Sequence, residues 1–320
     1  MPLLFDMPLE KLRTYPGRNP RPPDFDEFWD RSLAEMRSID PKVELKPAAF
    51  QTPFAECFDM YFTGVGGARI HAKLLQPRKK EGRHPAVIFF HGYSGNSGDW
   101  SDRLGYVAMG FTVAALDCRG QGGQSEDVGG VVGNTLRGHI IRGLDGPPEK
   151  MLFRQIYLDA AQLAGLVMSF PDVDATRVGV TGGSQGGGLA LACTALEPRI
   201  CRCASTFPFL CDFKRVWELD LAKDAYEELR MYFRWFDPTH EREDAIFTKL
   251  GYVDVQFLCP RIRAEVLMTV GLMDQICPPS TQFAAYNKIQ APKRLAIYPD
   301  FGHESLPGSN DRIFQFLSEL

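Results

Sequence analysis

The feature that most restricts the fold of this chain is a series of short apolar runs that alternate with helix-like segments. The runs cover residues 85–90, 111–117, 176–181, 200–206, 264–270 and 294–298. The helix-like segments cover residues 99–109, 151–170, 184–196, 278–290 and 309–319. The first run, Pro-Ala-Val-Ile-Phe-Phe, is continuously apolar, which is typical of a strand buried on both faces of a parallel sheet. This alternation predicts βαβ units and a doubly wound, mostly parallel sheet.

Three other segments complete the predicted organisation of a single α/β domain over residues 1–320. Segments 56–63 and 68–76 flank a glycine-rich turn and predict a β-hairpin. Residues 1–40 form an N-terminal extension rich in proline and aromatic residues, in which a helix that begins near Asp24 or Asp26 is expected to pack on the main body. Residues 207–260 interrupt the alternation with aromatic and charged residues, and we interpret them as an insertion, either a cap or an oligomer contact.

Composition and charge exclude several classes of partner. The net charge is −4 and no long run of Lys or Arg is present, which argues against nucleic acid and anionic membrane surfaces. No stretch approaches the roughly 18 apolar residues of a membrane helix. The first residues lack a basic start and contain Asp6 and prolines, so no secretory signal is expected. The lack of a predicted secretory signal and the eight scattered cysteines together predict a cytoplasmic protein with reduced thiols.

No metal or cofactor is expected from the sequence. Cys201 and Cys203 have the spacing of half a metal site, but no second Cys/His pair has a spacing that matches them.

A glycine-rich turn, Gly182-Gly183-Ser184-Gln185-Gly186, lies between the apolar run 176–181 and an alanine-rich helical segment. It matches the G-x-S-x-G pattern, in which a strained strand-to-helix turn exposes the hydroxyl of its serine. Glycine is needed two positions on either side because larger side chains would clash in so tight a turn. The helix N-terminus also favours negative charge that develops nearby. Ser184 is therefore the predicted nucleophile.

A serine nucleophile needs a general base and a carboxylate that orients this base. Where a G-x-S-x-G turn follows a strand of such a sheet, the nucleophile comes first along the chain, then the acid, then the histidine, each just past a strand. His303 follows the run 294–298 in a loop freed by Gly302, and it is the predicted base. Asp274 is the first carboxylate after the run 264–270, and it is the predicted acid.

Four other residues compete for these roles. His240 lies inside the irregular insertion, where a position at a helix start is expected. Asp300 is only three residues from the predicted base and on the same turn. Asp254 precedes the run 264–270, so it would lie at the amino end of that strand, away from the predicted nucleophile. His91 precedes the serine and has no acid placed to serve it, so we expect it to shape the loop that follows the first apolar run.

The oxyanion of an acyl-transfer reaction needs two preorganised donors. The backbone N–H of Gln185, the residue after the nucleophile, is one predicted donor. The backbone N–H of Tyr93, in the loop after the run 85–90, is the other. The Tyr93 side chain, with the aromatic residues of segment 207–213, is also a candidate for contact with the substrate.

Several motifs together resemble one known family. They are Arg119-Gly120-Gln121-Gly122, the Gly182–Gly186 turn, His303-Glu304, Asp-Phe-Asp-Glu-Phe-Trp at 24–29 and His91-Gly92-Tyr93. This combination is similar to the acetyl xylan esterase and cephalosporin C deacetylase family, carbohydrate esterase family seven, over nearly the whole chain. The combination is far more specific than G-x-S-x-G alone.

The resemblance implies an α/β-hydrolase fold in which Ser184, Asp274 and His303 form the triad and in which Tyr93 and Gln185 supply the oxyanion hole. It implies a metal-free, intracellular homo-hexamer whose active sites open toward an interior cavity. It also implies small substrates, namely acetylated xylo-oligosaccharides, other acetylated sugars and cephalosporin C.

Arg119, Gln121 and Glu304 are expected near the site in structural roles. Arg119 is expected to pair with a carboxylate, for which Glu304 is the candidate, and so to brace the loop that carries His303. A substrate contact by the Arg-Gly-Gln segment is the alternative.

Two further functions stay open at this point, because a fold does not decide the leaving group. A thioesterase or a small-peptide hydrolase would use the same triad. A non-catalytic binding protein would keep the fold alone.

Overall fold

The described residues form one nine-stranded sheet that is covered by helices on both faces. The computed structural model describes residues 5–79, 82–130 and 134–320, so residues 1–4 of the predicted N-terminal extension lie outside the described residues. The strands are β1 (Glu44–Pro47), β2 (Ala55–Thr63), β3 (Arg69–Pro77), β4 (His84–Phe90), β5 (Thr112–Leu116), β6 (Val173–Gly183), β7 (Arg202–Thr206), β8 (Glu265–Gly271) and β9 (Lys293–Tyr298).

The strand order across the sheet is β1-β2-β3-β5-β4-β6-β7-β8-β9. Strands β5, β4, β6, β7, β8 and β9 pair in parallel, and β1, β2 and β3 add antiparallel pairs at one side. The predicted mostly parallel sheet and its six apolar strands are confirmed, with end points that differ by a few residues.

The helices of the described residues fill the connections. They are α1 (Leu9–Leu12), α2 (Phe25–Arg37), α3 (Leu104–Ala108), α4 (Leu152–Ser169), α5 (Gln185–Leu196), α6 (Phe213–Glu218), α7 (Glu227–Phe236), α8 (Glu243–Leu250), α9 (Val255–Leu258), α10 (Pro279–Lys288) and α11 (Ser309–Ser318). Helices α2, α4 and α5 pack into the larger core on one face. Residues of α3 and α11 pack into a second core on the other face. The doubly wound architecture is thus confirmed.

Helix α2 of the N-terminal extension is attached by its aromatic face. Phe25, Phe28 and Trp29 are buried, as helical spacing predicts. The indole N–H of Trp29 donates to the backbone carbonyl of Tyr252 at 2.9 Å. The extension therefore shares the main core.

The helix predicted over residues 99–109 is wrong in its first part. A short 3-10 turn covers Ser101–Arg103, and the α-helix begins only at Leu104. Tertiary bonds hold the preceding loop out of a helix, since Ser97 N donates to the Asp117 carboxylate at 2.7 Å and the Lys73 ammonium donates to the Gly98 carbonyl.

The 207–260 insertion is helical and contributes to the larger core. Its helices α6 to α9 bury the side chains of Phe213, Tyr226, Phe233 and Phe247. On the outer side of α7, Trp235 and Phe236 remain 70% and 61% exposed. The aromatic composition of this segment thus serves both packing and an exposed apolar surface.

No helix in the described part of the chain combines the length and the apolar character that crossing a membrane requires.

Candidate active site

Ser184 lies at a strained turn between β6 and α5. Its φ of 57° and ψ of −121° place a non-glycine residue in a sparsely populated backbone region. Two backbone hydrogen bonds to the end of β7 and the residues after it hold Ser184 in this conformation. Ser184 N donates to the Thr206 carbonyl, and Phe209 N donates to the Ser184 carbonyl, both at 3.0 Å. The serine is therefore presented at the carboxyl end of the sheet, at the N-terminus of a buried helix.

Two glycines make this turn possible. A Cβ on Gly186 would lie 2.1 Å from the Phe90 carbonyl oxygen, and a Cβ on Gly182 would lie 2.4 Å from the Gly186 carbonyl oxygen. No side chain fits at such distances. The requirement for glycine on both sides of the serine is thus a matter of backbone packing.

Asp274 and His303 meet at the same edge of the sheet. Nδ1 of His303 lies 2.8 Å from Oδ2 of Asp274, and Asp274 is completely buried. The other carboxylate oxygen accepts from the backbone N–H groups of Ile276 at 2.9 Å and Cys277 at 2.8 Å. Because a carboxylate only accepts, Nδ1 carries the proton and Nε2 is left as the acceptor. This is the tautomer that a general base needs.

The loops after β8 and β9 approach closely because Gly271 has no side chain. A Cβ on Gly271 would lie 2.5 Å from the Phe301 carbonyl oxygen. The ring of Phe207 packs on the imidazole of His303 with 4.4 Å between centroids. These contacts fix the His303 loop over the ends of β7 and β8.

The Ser184 hydroxyl makes no hydrogen bond to His303 among the described residues. Its side chain lies close to the Cys277 thiol, where it lowers the pKa of that thiol against the larger rise that burial causes. That thiol lies within 4.8 Å of both the Asp274 carboxylate and the imidazole of His303, each distance being measured between potential ligand atoms. The structure thus brings Asp274 and His303 into direct contact, and the Cys277 thiol lies near both this pair and Ser184.

Asp274, Cys277 and His303 also present the donor types of a metal site. Two properties argue against that role. Burial raises the pKa of the Cys277 thiol far above its ordinary value, which disfavours the thiolate that a metal requires. The Asp274 carboxylate already accepts from the imidazole and two backbone amides. The cluster therefore fits proton transfer better than metal binding.

The backbone amides predicted for the oxyanion hole come from adjoining segments. Within the described residues, neither Tyr93 N–H nor Gln185 N–H makes a hydrogen bond to another protein group. The Gln185 side-chain amide lies 3.5 Å from the Gly92 carbonyl oxygen, so the two segments are in contact. Both predicted donors are thus left without a protein acceptor in the described part of the chain.

Gln121 connects these two segments. Its side-chain amide exchanges two hydrogen bonds with that of Gln185, at 2.9 and 3.0 Å, and its side-chain Oε1 also accepts from Ser94 N at 3.0 Å. Its side chain is completely buried. Gln121 therefore holds the loop that carries Tyr93 against the start of α5.

His91 has both ring nitrogens occupied. Nδ1 lies 2.7 Å from the Gly92 carbonyl oxygen, and Nε2 accepts from Cys118 N at 3.0 Å. Burial lowers the pKa of His91, which favours this neutral form. The residue shapes the loop and has no free nitrogen for catalysis.

Arg119 does not pair with Glu304, so that expectation is wrong. Its buried guanidinium binds both carboxylate oxygens of Asp159 on α4 at 2.6 Å. Glu304 is exposed and accepts from Gly302 N within its own loop. A fully buried guanidinium needs a buried counter-charge, and an exposed glutamate does not supply one.

Arg119→Met is expected to destabilise the fold by about 3–5 kcal/mol, because it leaves Asp159 without its counter-charge inside the protein. Chemical denaturation measures this free energy of unfolding. The matched control is Arg230→Met, which breaks a surface pair with Asp220 and is expected to cost less than about 1 kcal/mol. Equal losses in the two variants would contradict the assigned role of Arg119.

Two residues near the candidate site, Glu228 and Cys277, were not predicted from the sequence. The phenol of Tyr93 donates to Glu228 on α7, and its ring packs on Phe209 at 5.5 Å. Cys277 was signalled only by its closeness to Asp274 along the chain. Nothing in the sequence pattern of the insertion pointed to Glu228.

A cavity of about 780 Å³ opens beside the imidazole. Gly183, Phe207, His303 and Phe314 contribute to its walls. It offers room for a molecule of the size of a sugar next to the base.

Comparison with known proteins identifies the family. The model of the acetyl xylan esterase (AXE1) family matches residues 1–320. The chain belongs to the acetyl xylan esterase family. Its members share the hydrolase activity and the α/β-hydrolase fold that the sheet and the strained serine indicate.

Individual relatives agree with this assignment. The structure is similar to acetyl xylan esterase 1 from Thermoanaerobacterium sp. JW/SL YS485, at 66% identity and a TM-score of 0.96 over 98% of this chain and 99% of that one. It is also similar to an acetyl xylan esterase from Paenibacillus sp. R4, at 35% identity and a TM-score of 0.91 over the same shares. The acetyl esterase Axe7A of Xylanibacter ruminicola (strain ATCC 19189 / DSM 19721 / CIP 105475 / JCM 8958 / 23) is 28% identical over 94% of this chain and 67% of its own length.

Proposed function

We propose that this enzyme removes acetyl groups from acetylated xylo-oligosaccharides, other small acetylated sugars and cephalosporin C through a Ser184–His303–Asp274 triad. The observation that carries the proposal is the 2.8 Å contact between His303 Nδ1 and the buried Asp274 carboxylate, at the sheet edge that presents Ser184. The family assignment supports acetylated carbohydrate as the substrate class.

In the first step the Ser184 hydroxyl turns toward Nε2 of His303. Catalytic hydrogen bonds are often loose in an unliganded enzyme and tighten when substrate binds. Ser184 Oγ attacks the acetyl carbonyl, and its proton passes to Nε2 of His303. The carboxylate of Asp274 stabilises the imidazolium and keeps the ring in place.

The negative charge that develops on the carbonyl oxygen is stabilised by the N–H groups of Tyr93 and Gln185. The N-terminus of α5 adds a favourable dipole. When the tetrahedral intermediate collapses, the sugar oxygen leaves and takes the proton from His303, and the acetyl group stays on Ser184. Water that is deprotonated by His303 then releases acetate and restores the serine.

Assembly as a homo-hexamer and a cytoplasmic location belong to the same proposal. Trp235 and Phe236 on α7 support the assembly, because exposed aromatic residues on one helix are typical of an interface. Seven buried thiols support a reducing location. A solution mass equal to one chain would contradict the hexamer.

A panel of substrates tests the proposed specificity. Hydrolysis rates are compared for acetyl and butyryl esters of one xylo-oligosaccharide, for cephalosporin C, for acetyl-CoA and for a chromogenic dipeptide. We expect a sharp preference for acetate over butyrate on the same sugar, with deacetylation of cephalosporin C. Faster turnover of acetyl-CoA or of the dipeptide would instead indicate a thioesterase or a peptidase.

A further inference from the structure

A buried carboxylate lies beside the loop that carries Tyr93. Glu228 on α7 is 8% exposed, and one of its oxygens accepts from the Tyr93 hydroxyl. The other accepts from the backbone N–H groups of Ile140 at 2.7 Å and Ile141 at 3.1 Å. All three of these donors are uncharged.

Burial raises the pKa of Glu228, and the hydrogen bonds of Tyr93 and the two amides oppose that rise. A buried carboxylate is costly unless its oxygens are satisfied. An ionised carboxylate suits the position because it only accepts, whereas glutamine would place an N–H₂ group where Tyr93 or the two backbone amides donate. The site is thus built for an acceptor that binds three donors at once.

Tyr93 is held from several directions by this arrangement. Its hydroxyl donates to Glu228 and accepts from the backbone N–H of His139 at 3.4 Å. Its ring packs edge-on against His139 at 4.9 Å and Phe209 at 5.5 Å. The backbone N–H of the same residue makes no hydrogen bond within the described part of the chain. A fixed side chain therefore fixes the direction of a free N–H group.

We propose that Glu228 is a positioning residue of the active site, which holds Tyr93 so that its backbone N–H points at the developing oxyanion. This inference rests on the proposed acyl-transfer mechanism. Glu228 belongs to the 207–260 insertion, and it contacts Tyr93, 135 residues away along the chain, through the packing of α7. The insertion would thus contribute to catalysis.

The expected effect is large because oxyanion stabilisation depends on geometry. Loss of one oxyanion donor lowers kcat by about a hundred- to a thousand-fold. A displacement of about 1 Å at a reacting group has a comparable cost. Since the donor acts on the transition state, its misplacement should lower kcat and leave KM nearly unchanged.

The test compares the variants Glu228→Gln and Tyr93→Phe with the control Glu227→Gln. Glu227 is the preceding residue on α7 and forms an exposed pair with Arg137. The readouts are kcat and KM on p-nitrophenyl acetate and the inhibition constant of a trifluoromethyl ketone, which mimics the tetrahedral intermediate. Circular dichroism and thermal unfolding show whether each variant is folded.

We expect Glu228→Gln and Tyr93→Phe each to lower kcat by about a hundred-fold and to raise the inhibition constant of the ketone by a similar factor. The double variant should lose little more than either single one, because the two groups act as a unit. Glu227→Gln should match the wild type. If one single variant fails to fold, the other carries the test.

A purely structural role would lower the melting temperature while the folded variants keep a kcat within about twofold of the wild type, and that outcome overturns the proposal. Failure of the proposed mechanism is seen separately, because Ser184→Ala would then keep the activity of the wild type in the same assay.

Discussion

Ser184→Ala is expected to reduce the rate of acetyl release by about a million-fold, because the members of a triad act as a unit and the reaction loses its nucleophile. The structure gives the physical basis, since the strained turn between β6 and α5 lies at the sheet edge where Asp274 and His303 meet. The residual rate should come from substrate binding and the oxyanion donors alone. Steady-state hydrolysis of p-nitrophenyl acetate measures the loss.

The control for this variant is Ser38→Ala, which changes an exposed serine at the end of α2. We expect wild-type activity from the control and native thermal unfolding from both variants. Substantial activity in folded Ser184→Ala protein would show that another group attacks the ester.

Asp274→Asn is expected to lower kcat by about ten thousand-fold while the fold is kept. Asparagine has the shape of aspartate, but it can turn an N–H₂ group toward His303 and so favour the wrong tautomer of the imidazole. It also lacks the charge that stabilises the imidazolium. The effect should exceed that of any change at the exposed surface of the same loops.

Asp300→Asn is the matched control, because Asp300 is exposed, lies three residues before His303 and was the rival candidate for the acid. We expect its kcat to stay within about twofold of the wild type, as for a surface substitution. A large loss in Asp300→Asn with little loss in Asp274→Asn would reverse the assignment.

The sheet and the candidate triad were predictable because both follow from local sequence patterns. Apolar runs of strand length mark the parallel strands, and the carboxyl ends of parallel strands meet at one edge. The first carboxylate after one strand and the loop histidine after the next were therefore expected together. The 2.8 Å contact between Asp274 and His303 agrees with that expectation.

Features that depend on packing between distant segments were not predictable. Arg119 pairs with Asp159, and this contact exists only because α4 packs across the sheet. Glu228 reaches Tyr93 only through the placement of α7. Strand β1 is short and exposed at the sheet edge, so it carries no alternating apolar pattern.

The most direct test of the mechanism is the site of covalent labelling by a fluorophosphonate, which reacts with an activated serine. Labelled wild-type protein and His303→Ala protein are digested, and mass spectrometry locates the adduct. The proposed triad predicts an adduct on the peptide that contains Ser184 and almost none in His303→Ala. An adduct on another residue, or equal labelling of Ser184 without the imidazole, would contradict it.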